Sequence, residues 1–196
     1  MELTPEAVSA RVLERMTSDA AHDWAHVERV FRNGMAIGCT EKSATPVVFK
    51  AALLLHDIGA KTIGKGNAVV EAGEVAALLA PFDVDPRHYA AITSAINEHS
   101  FTRDARPSTL EAAIVQDADR LDAIGAIGIA RCFAYGGAHR RALYDPDDRS
   151  NSIQHFYDKL FTLRDKMNTA EGRRLAEERH RFMETFVAEF MREWDG

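Results

Sequence analysis

Histidine and aspartate recur in this sequence at places where an apolar helix face would otherwise run on. His56-Asp57 directly follows Ala51-Ala52-Leu53-Leu54-Leu55. Burying a carboxylate there is costly unless something satisfies it. On a structural account Asp57 caps the following loop and His56 is a core histidine. On a chemical account Gly59 ends the helix just after the doublet, leaving both side chains at an open terminus where a small ion touches both. His22 and His26 are four apart, on one face of a helix. His26 lines up with Val30 and Asn33 at the flank of an apolar stripe, which favours metal ligation. His22 reads equally as a helix-start residue, with Asp23 favourable in the first turn. The stretch QDADRLDA (116–123) sets three aspartates and an arginine in an otherwise core-like helix. Asp119 shares a face with Val115 and Asp122, while Asp117 lies about 200° away and makes a surface i,i+3 pair with Arg120. Asp119 is therefore the inward carboxylate, with Asp122 its supporting neighbour one turn on.

His26, His56, Asp57 and Asp119 then come from three separate helices. Two imidazoles and two carboxylates form a mixed nitrogen/oxygen site for one divalent transition ion. The set is too nitrogen-rich for calcium and lacks the thiolates of a structural zinc knuckle. Mn, Ni, Co, Fe and Zn all suit it, and Mg suits it less. Such an ion lowers the pKa of bound water and neutralises charge on a phosphoryl group. Asp57 therefore counts as catalytic as well as metal-ligating.

Other polar residues fall around these four. Lys61 and Lys65 flank the Gly-containing loop after the doublet, where amines meet phosphates or are merely solvated; Lys61 is the better catalytic candidate. His99 closes a helix beside Ser100 and Phe101, as a cap or as a group that protonates a leaving oxygen or binds a phosphate. Arg120 adjoins Asp119 and is a substrate candidate, although the Asp117 pair competes for it. Arg131, Arg140 and Arg141 read as surface. No serine or cysteine stands beside a histidine as an activated nucleophile.

The segments that must position these residues read as helices. Thr4 and Pro5 open one over 5–17. Trp24, Val27, Phe31 and Met35 mark another to about Cys39, and Thr45-Pro46 opens a third, VVFKAALLLHDI, central to the core. A helix over roughly 68–80 stops at Pro81, and the next runs from near Asp85-Pro86 to about His99. Ser108 caps a helix whose Ile114, Ala118, Leu121 and Gly125 form one stripe. Breaks at Gly136-Gly137 and at DPDDR (145–149) precede two long helices. Their aromatic stripes, Phe156–Phe161 and Phe182–Trp194, read as core or dimer surface, and a homodimer stays open. No strand pair and no repeat is visible, so the fold class is all-α, a single-domain helical bundle over 1–196. The metal-site core spans about 18–136, and C-terminal helices over about 150–195 pack on it.

The chain has 196 residues, 46% of them hydrophobic, with 24 Lys+Arg against 30 Asp+Glu and a formal charge of −6. That composition excludes a disordered chain and argues against binding a nucleic acid polymer. A small phosphorylated substrate, such as a nucleotide, stays compatible because a metal or a few local cations hold it. Nothing approaches a membrane span or a signal pattern. Cys39 and Cys132 form no metal-type pair, and reduced thiols fit a cytoplasmic protein.

At these motifs the sequence resembles the HD-domain phosphohydrolases. Their pattern is H…HD…D along an all-helical bundle, matched by His26, His56-Asp57 and Asp119. The likeness is closest to single-domain bacterial members with an H-D-W-x-H opening and a D-A-D-R-L-D-A-I-G-A-I-G segment. This chain reads HDWAH at 22–26, NEHSF at 97–101 and DADRLDAIGAIGIAR at 117–131. The resemblance covers about 18–136 and implies a single-domain α fold, divalent-metal dependence and hydrolysis of phosphate esters or nucleotide phosphoanhydrides. A close relative type converts nucleoside triphosphates to monophosphate and pyrophosphate, the leading substrate reaction, run through a metal-activated water. HDIG also resembles the cyclic-dinucleotide phosphodiesterase branch, but the G-Y-P motif of that branch is absent, as is any alarmone synthetase half. The alternatives are a metal-holding sensor or interaction module with little turnover, and a phosphomonoesterase on small metabolites.

Overall fold

The computed structural model describes residues 1–12, 24–58, 69–99 and 106–196, all helix and connection with no strand among them. They fall in two compact units, Met1–Asp119 and Arg120–Gly196. His22, Asp23, Gly59, Lys61, Lys65, Ser100 and Phe101 lie outside the described residues. Among the described residues, no helix is long and apolar enough to cross a membrane.

In the first unit, α1 (Pro5–Val12) opens as its sequence dictates. Pro5 supplies a fixed φ at the first position, and Thr4 Oγ1 accepts from the Ala7 backbone N–H at 3.3 Å. The second helix, α2 (Trp24–Gly38), buries His26, Val27, Val30, Gly34 and Ile37, the three- and four-residue spacing of one face. The third, α3 (Pro46–Leu55), buries every residue from Val48 to Leu55 except Lys50. It packs against α1, α2 and α5, which is why its sequence shows no polar stripe.

The row His26, Val30, Gly34, Gly38 on α2 faces the row Phe49, Leu53, His56 on α3, running the opposite way. A Cβ at Gly34 would lie 2.3 Å from Leu53 Cδ1, and one at Gly38 would lie 2.5 Å from Phe49 Cζ. Small residues at one end of the interface let the helices close up around large ones. At the other end the same closeness brings His26 to His56.

Helix α4 (Ala72–Leu79) is shorter than the expected 68–80, because Glu71 has extended backbone and starts the helix late. Asp85 then accepts from the Arg87 N–H at 3.0 Å and caps a 3₁₀ turn, Pro86–His88, that leads into α5 (Tyr89–Glu98). Helix α6 (Leu110–Asp122) is capped by Thr109, not by the expected Ser108: Thr109 Oγ1 accepts from the Ala112 N–H at 3.1 Å. Ser108 is drawn away, since its N–H and hydroxyl both donate to Glu98, each at 2.7 Å. Ile114, Ala118 and Leu121 are fully buried as expected, but Gly125 begins a separate helix.

The second unit holds the last turn of α6, then α7 (Gly125–Ala138), a short α8 (Ser152–His155) and α9 (Ala170–Asp195). Helix α7 runs through the expected break at Gly136-Gly137 and stops past Ala138, where Arg140 takes a left-handed φ of 55°. The expected single helix of the 150s changes pitch twice, through a π segment (Phe156–Leu160) and a 3₁₀ segment (Phe161–Lys166). Phe156 sits fully buried there, ringed by Phe133, Phe161 and Phe186 at centroid distances of 6.0, 6.1 and 6.0 Å.

The turn between α6 and α7 explains the glycines of DAIGAIG. Gly125 has φ 76°, a left-handed conformation that costs most residues strain. Gly128 lies against the turn's own backbone, where a Cβ would meet the Ala123 carbonyl oxygen at 2.3 Å. A backbone atom cannot swing aside as a side chain can. Gly128→Ala is therefore expected to cost about 1–3 kcal/mol, read as a lower urea midpoint with an unchanged m-value. A midpoint equal to that of the unsubstituted protein would remove this account of the turn.

Candidate metal centre

Three helices of the first unit deliver the polar cluster. His26 comes from the first turn of α2, and His56 caps the C-terminus of α3 with Asp57 next in the chain. Asp119 comes from α6. The Nε2 atoms of His26 and His56 are 3.2 Å apart. Asp57 Oδ2 is 3.5 Å from His26 Nε2 and 3.6 Å from His56 Nε2. One ligand atom from each of His26, His56 and Asp57 falls within 4.8 Å of the others. Asp119 approaches from the side of His26, its Oδ1 3.5 Å from that Nε2.

Backbone carbonyls decide how the rings present themselves. His56 Nδ1 donates to the Leu53 carbonyl at 2.9 Å, and a carbonyl only accepts. The ring proton is thereby held on Nδ1 and the Nε2 lone pair is turned toward Asp57 and His26. His99 repeats the arrangement, its Nδ1 donating to the Ile96 carbonyl. Its Nε2 lies 3.9 Å from Asp57 Oδ1, and its ring meets that of His56 edge-on at 5.2 Å between centroids. Burial pushes the proton affinity of His56 down; His99 and His26 act in the same direction, and Asp57 opposes them. The lone pair of His56 is thus available at neutral pH.

The doublet is not open to solvent as expected: His56 is 1% and Asp57 5% exposed. The expected surface pair of Asp117 and Arg120 is also corrected, since Asp117 is 0% and Arg120 6% exposed. Helix α6 is buried on nearly every side from Ala112 to Asp122, so a helical wheel with one solvent face misassigns its polar residues. Arg120 Nη1 donates to the Lys166 carbonyl. Asp122 receives Arg131 Nη1 at 2.6 Å, so Arg131 is an ion-pair partner of a buried carboxylate rather than the expected surface residue. Asp119, at 26% side-chain exposure, is the most open of the four candidate ligands.

Sequence reasoning missed the side chains that hold the helices in register. Asn33 Nδ2 donates to the Ala118 carbonyl at 3.1 Å, tying α2 to α6 just ahead of Asp119. Gln116 Nε2 donates to the Glu98 carbonyl at 2.7 Å. Glu111 Oε1 accepts from the Thr45 N–H, the residue before α3, at 2.7 Å. The available signal was an amide or carboxylate within a largely apolar stretch, which is weak without knowing its distant backbone partner.

The HD domain family model matches residues 23–124, a span that contains His26, the doublet and Asp119. YpgQ of Bacillus subtilis (strain 168), an uncharacterised protein, is 37% identical over 196 residues, covering 97% of this chain and 94% of YpgQ. The crystal structure of an HD-superfamily hydrolase from Bacillus thuringiensis has a TM-score of 0.78 at 38% identity, covering 98% of this chain and 95% of that one. The crystal structure of B. subtilis YpgQ in complex with ADP has a TM-score of 0.79 at 32% identity, covering 96% of this chain and 94% of that one. With a matching core that holds every candidate ligand and similarity that runs nearly end to end, this chain belongs to the HD-domain family and is a metal-dependent phosphohydrolase of the HD superfamily.

Proposed function

We propose that this protein hydrolyses a nucleotide, with a nucleoside triphosphate converted to monophosphate and pyrophosphate as the leading reaction. One observation carries the reading: His26, His56 and Asp57 present ligand atoms within 4.8 Å of one another in a buried cluster, with Asp119 beside them. Their donor set fits a divalent transition ion, because a fixed imidazole lone pair and carboxylates suit Mn, Ni, Co, Fe or Zn better than Mg. His26, His56, Asp57 and Asp119 would hold it. When bound there, the ion supplies Lewis acidity toward water and phosphoryl oxygens. The nucleotide class is supported by the ADP complex of YpgQ.

The chain's own groups have distinct tasks in this reaction. Water attacks the α-phosphorus, the bond to the bridging oxygen of the β-phosphate breaks, and pyrophosphate leaves. His99, with its Nδ1 committed to Ile96, offers Nε2 to carry a proton to that leaving oxygen or to bind a phosphate. Lys61 and Lys65 are proposed phosphate contacts and His22 a supporting group, on sequence grounds alone. Asp122 is proposed to act on the site only indirectly, as a carboxylate already paired with Arg131.

The test is a nucleotide panel assayed with Mn²⁺, Ni²⁺ and Co²⁺, together with elemental analysis of His56→Ala and Asp57→Ala. Both variants are expected to stay helical by circular dichroism while losing bound metal and turnover. Folded variants with wild-type metal content would overturn the ligand assignment. Turnover in ¹⁸O-water places the label in the nucleoside monophosphate for α-attack. Label in orthophosphate would replace that reaction with phosphomonoester or terminal-phosphate hydrolysis, and metal binding without product would leave a sensor.

The lowered proton affinity of His56 has a consequence for the metal-free protein. The unfolded chain takes up a proton on this histidine near its usual pKa of about 6.5, while the folded protein resists until lower pH. The unfolded state therefore binds more protons in that window, so stability is full above it and falls as the pH drops from about 7 toward 5. His155, whose pKa is also pushed down by burial and then by Lys159 and Arg141, adds to the slope. Urea unfolding across this range is expected to show a shallower loss in His56→Gln than in wild type. Identical slopes would mean that His56 is not the group that titrates.

A further inference from the structure

The last turn of α5 carries three consecutive polar residues, and each is committed to a different element. Asn97 makes a paired contact with the backbone ahead of α4: its Nδ2 donates to the Val70 carbonyl at 2.9 Å, and the Val70 N–H donates to its Oδ1 at 2.8 Å. The Glu98 carboxylate accepts from the Ser108 N–H, the Ser108 hydroxyl and the Ser94 hydroxyl, each at 2.7 Å. His99 faces Asp57. The Glu98 carbonyl is one of those that a helix C-terminus leaves without an intrahelical partner, and it accepts from Gln116 Nε2 at 2.7 Å.

Gln116 is 1% exposed and stands one turn ahead of Asp119 on α6. One buried carboxamide therefore joins the helix that carries Asp119 to the helix end that carries His99. We propose that Gln116 is a positioning residue: its bond to the Glu98 carbonyl sets the offset between α6 and the last turn of α5, and so holds His99 Nε2 beside Asp57. The effect on turnover rests on the phosphohydrolase reading above; the effect on ring position does not.

Three observations give the arrangement its logic. The 3.9 Å approach of His99 to Asp57 is too long to fix the ring by itself. The Nδ1 bond to Ile96 is local to α5 and ties the ring to the end of that helix. Asn97 and the Glu98 carboxylate hold the same turn to other segments, so loss of Gln116 shifts the turn without releasing it. A buried carbonyl deprived of its donor is the driving force for that shift, because it must find another partner.

The test is a double-mutant cycle on the metal-loaded full chain with Gln116→Met, which keeps the size of the side chain and removes the donor, and His99→Gln. Gln116→Glu, an acceptor of the same shape, is a second probe should Gln116→Met fail to fold. Gln116→Met is expected to lower kcat on the order of tenfold or more with bound-metal stoichiometry unchanged, and to cost nothing further in the His99→Gln background. In metal-free protein the His99 ring Cε1–Hε1 signal, assigned by its loss in His99→Gln, is expected to shift while that of exposed His139 stays. Additive losses in the cycle, or an unmoved His99 signal, would overturn the proposal. Should wild type turn over no nucleotide, the activity reading fails on its own, and the ring signal alone decides the positioning role.

Discussion

Between the Nε2 atoms of His26 and His56, 3.2 Å apart, there is room for one electron-pair acceptor. It is either a proton shared by the two nitrogens or a cation bound to both. His56 is committed as an acceptor by its bond to Leu53, and Asp57 adds a carboxylate oxygen within 3.6 Å of both rings. Burial disfavours the proton on His56 and strengthens every remaining interaction by excluding water. Acceptors turned toward one another in such a place favour whatever positive charge satisfies them together. A divalent ion does so with one particle, whereas a proton must be added to His56, whose burial resists it.

Holding acceptors together against this tension falls to packing. The cluster sits at one end of the α2–α3 interface, and the large side chains Leu53 and Phe49 fill the other end over Gly34 and Gly38. Leu53, Leu54 and Leu55 are at most 1% exposed, and each contributes about 1.5–3 kcal/mol of hydrophobic stabilisation. Burial of that size opposes any separation of the helices, so the histidines stay together. The bonds that join Asn33 to Ala118, Gln116 to Glu98 and Glu111 to Thr45 all involve backbone groups, so they fix the helices themselves and not just one rotamer.

How much of this could be read from the sequence depended on whether a residue's task was local. His26, His56 and Asp57 are legible because each interrupts an apolar pattern that needs no polar group. A helical wheel set Asp119 inward and put Asp117 and Arg120 at the surface, yet Asp117 is fully buried and Asp119 is the more open of the two aspartates. Its assumption of one wet face fails on a helix buried nearly all round. Thr109 and Ser108 are equally good caps by type, and only Glu98, ten residues earlier, decides between them. Asn33 meets a carbonyl 85 positions away, a pairing that periodicity in the chain does not encode.

The placement of the doublet at a helix end, rather than along a helix, answers a geometric problem. Adjacent helical side chains diverge by about 100°, yet His56 and Asp57 converge to 3.6 Å. After Leu55 the spiral tightens, with the Ile58 N–H reaching back three residues to the Leu55 carbonyl at 3.2 Å, and the two side chains come round to one point. His99 stands at the corresponding place on α5, as its C-cap. Each histidine spends Nδ1 on the carbonyl three residues back, which satisfies a group the helix end leaves open, and aims Nε2 beyond the helix. Two helix C-termini, each carrying partial negative charge, thus meet at Asp57. Their dipoles add to its carboxylate and favour a cation for the same reason the carboxylate does. The fold therefore prepares the site for positive charge through its backbone as well as its side chains, and a substitution that kept all four candidate ligands but unwound the end of α3 or α5 would weaken it.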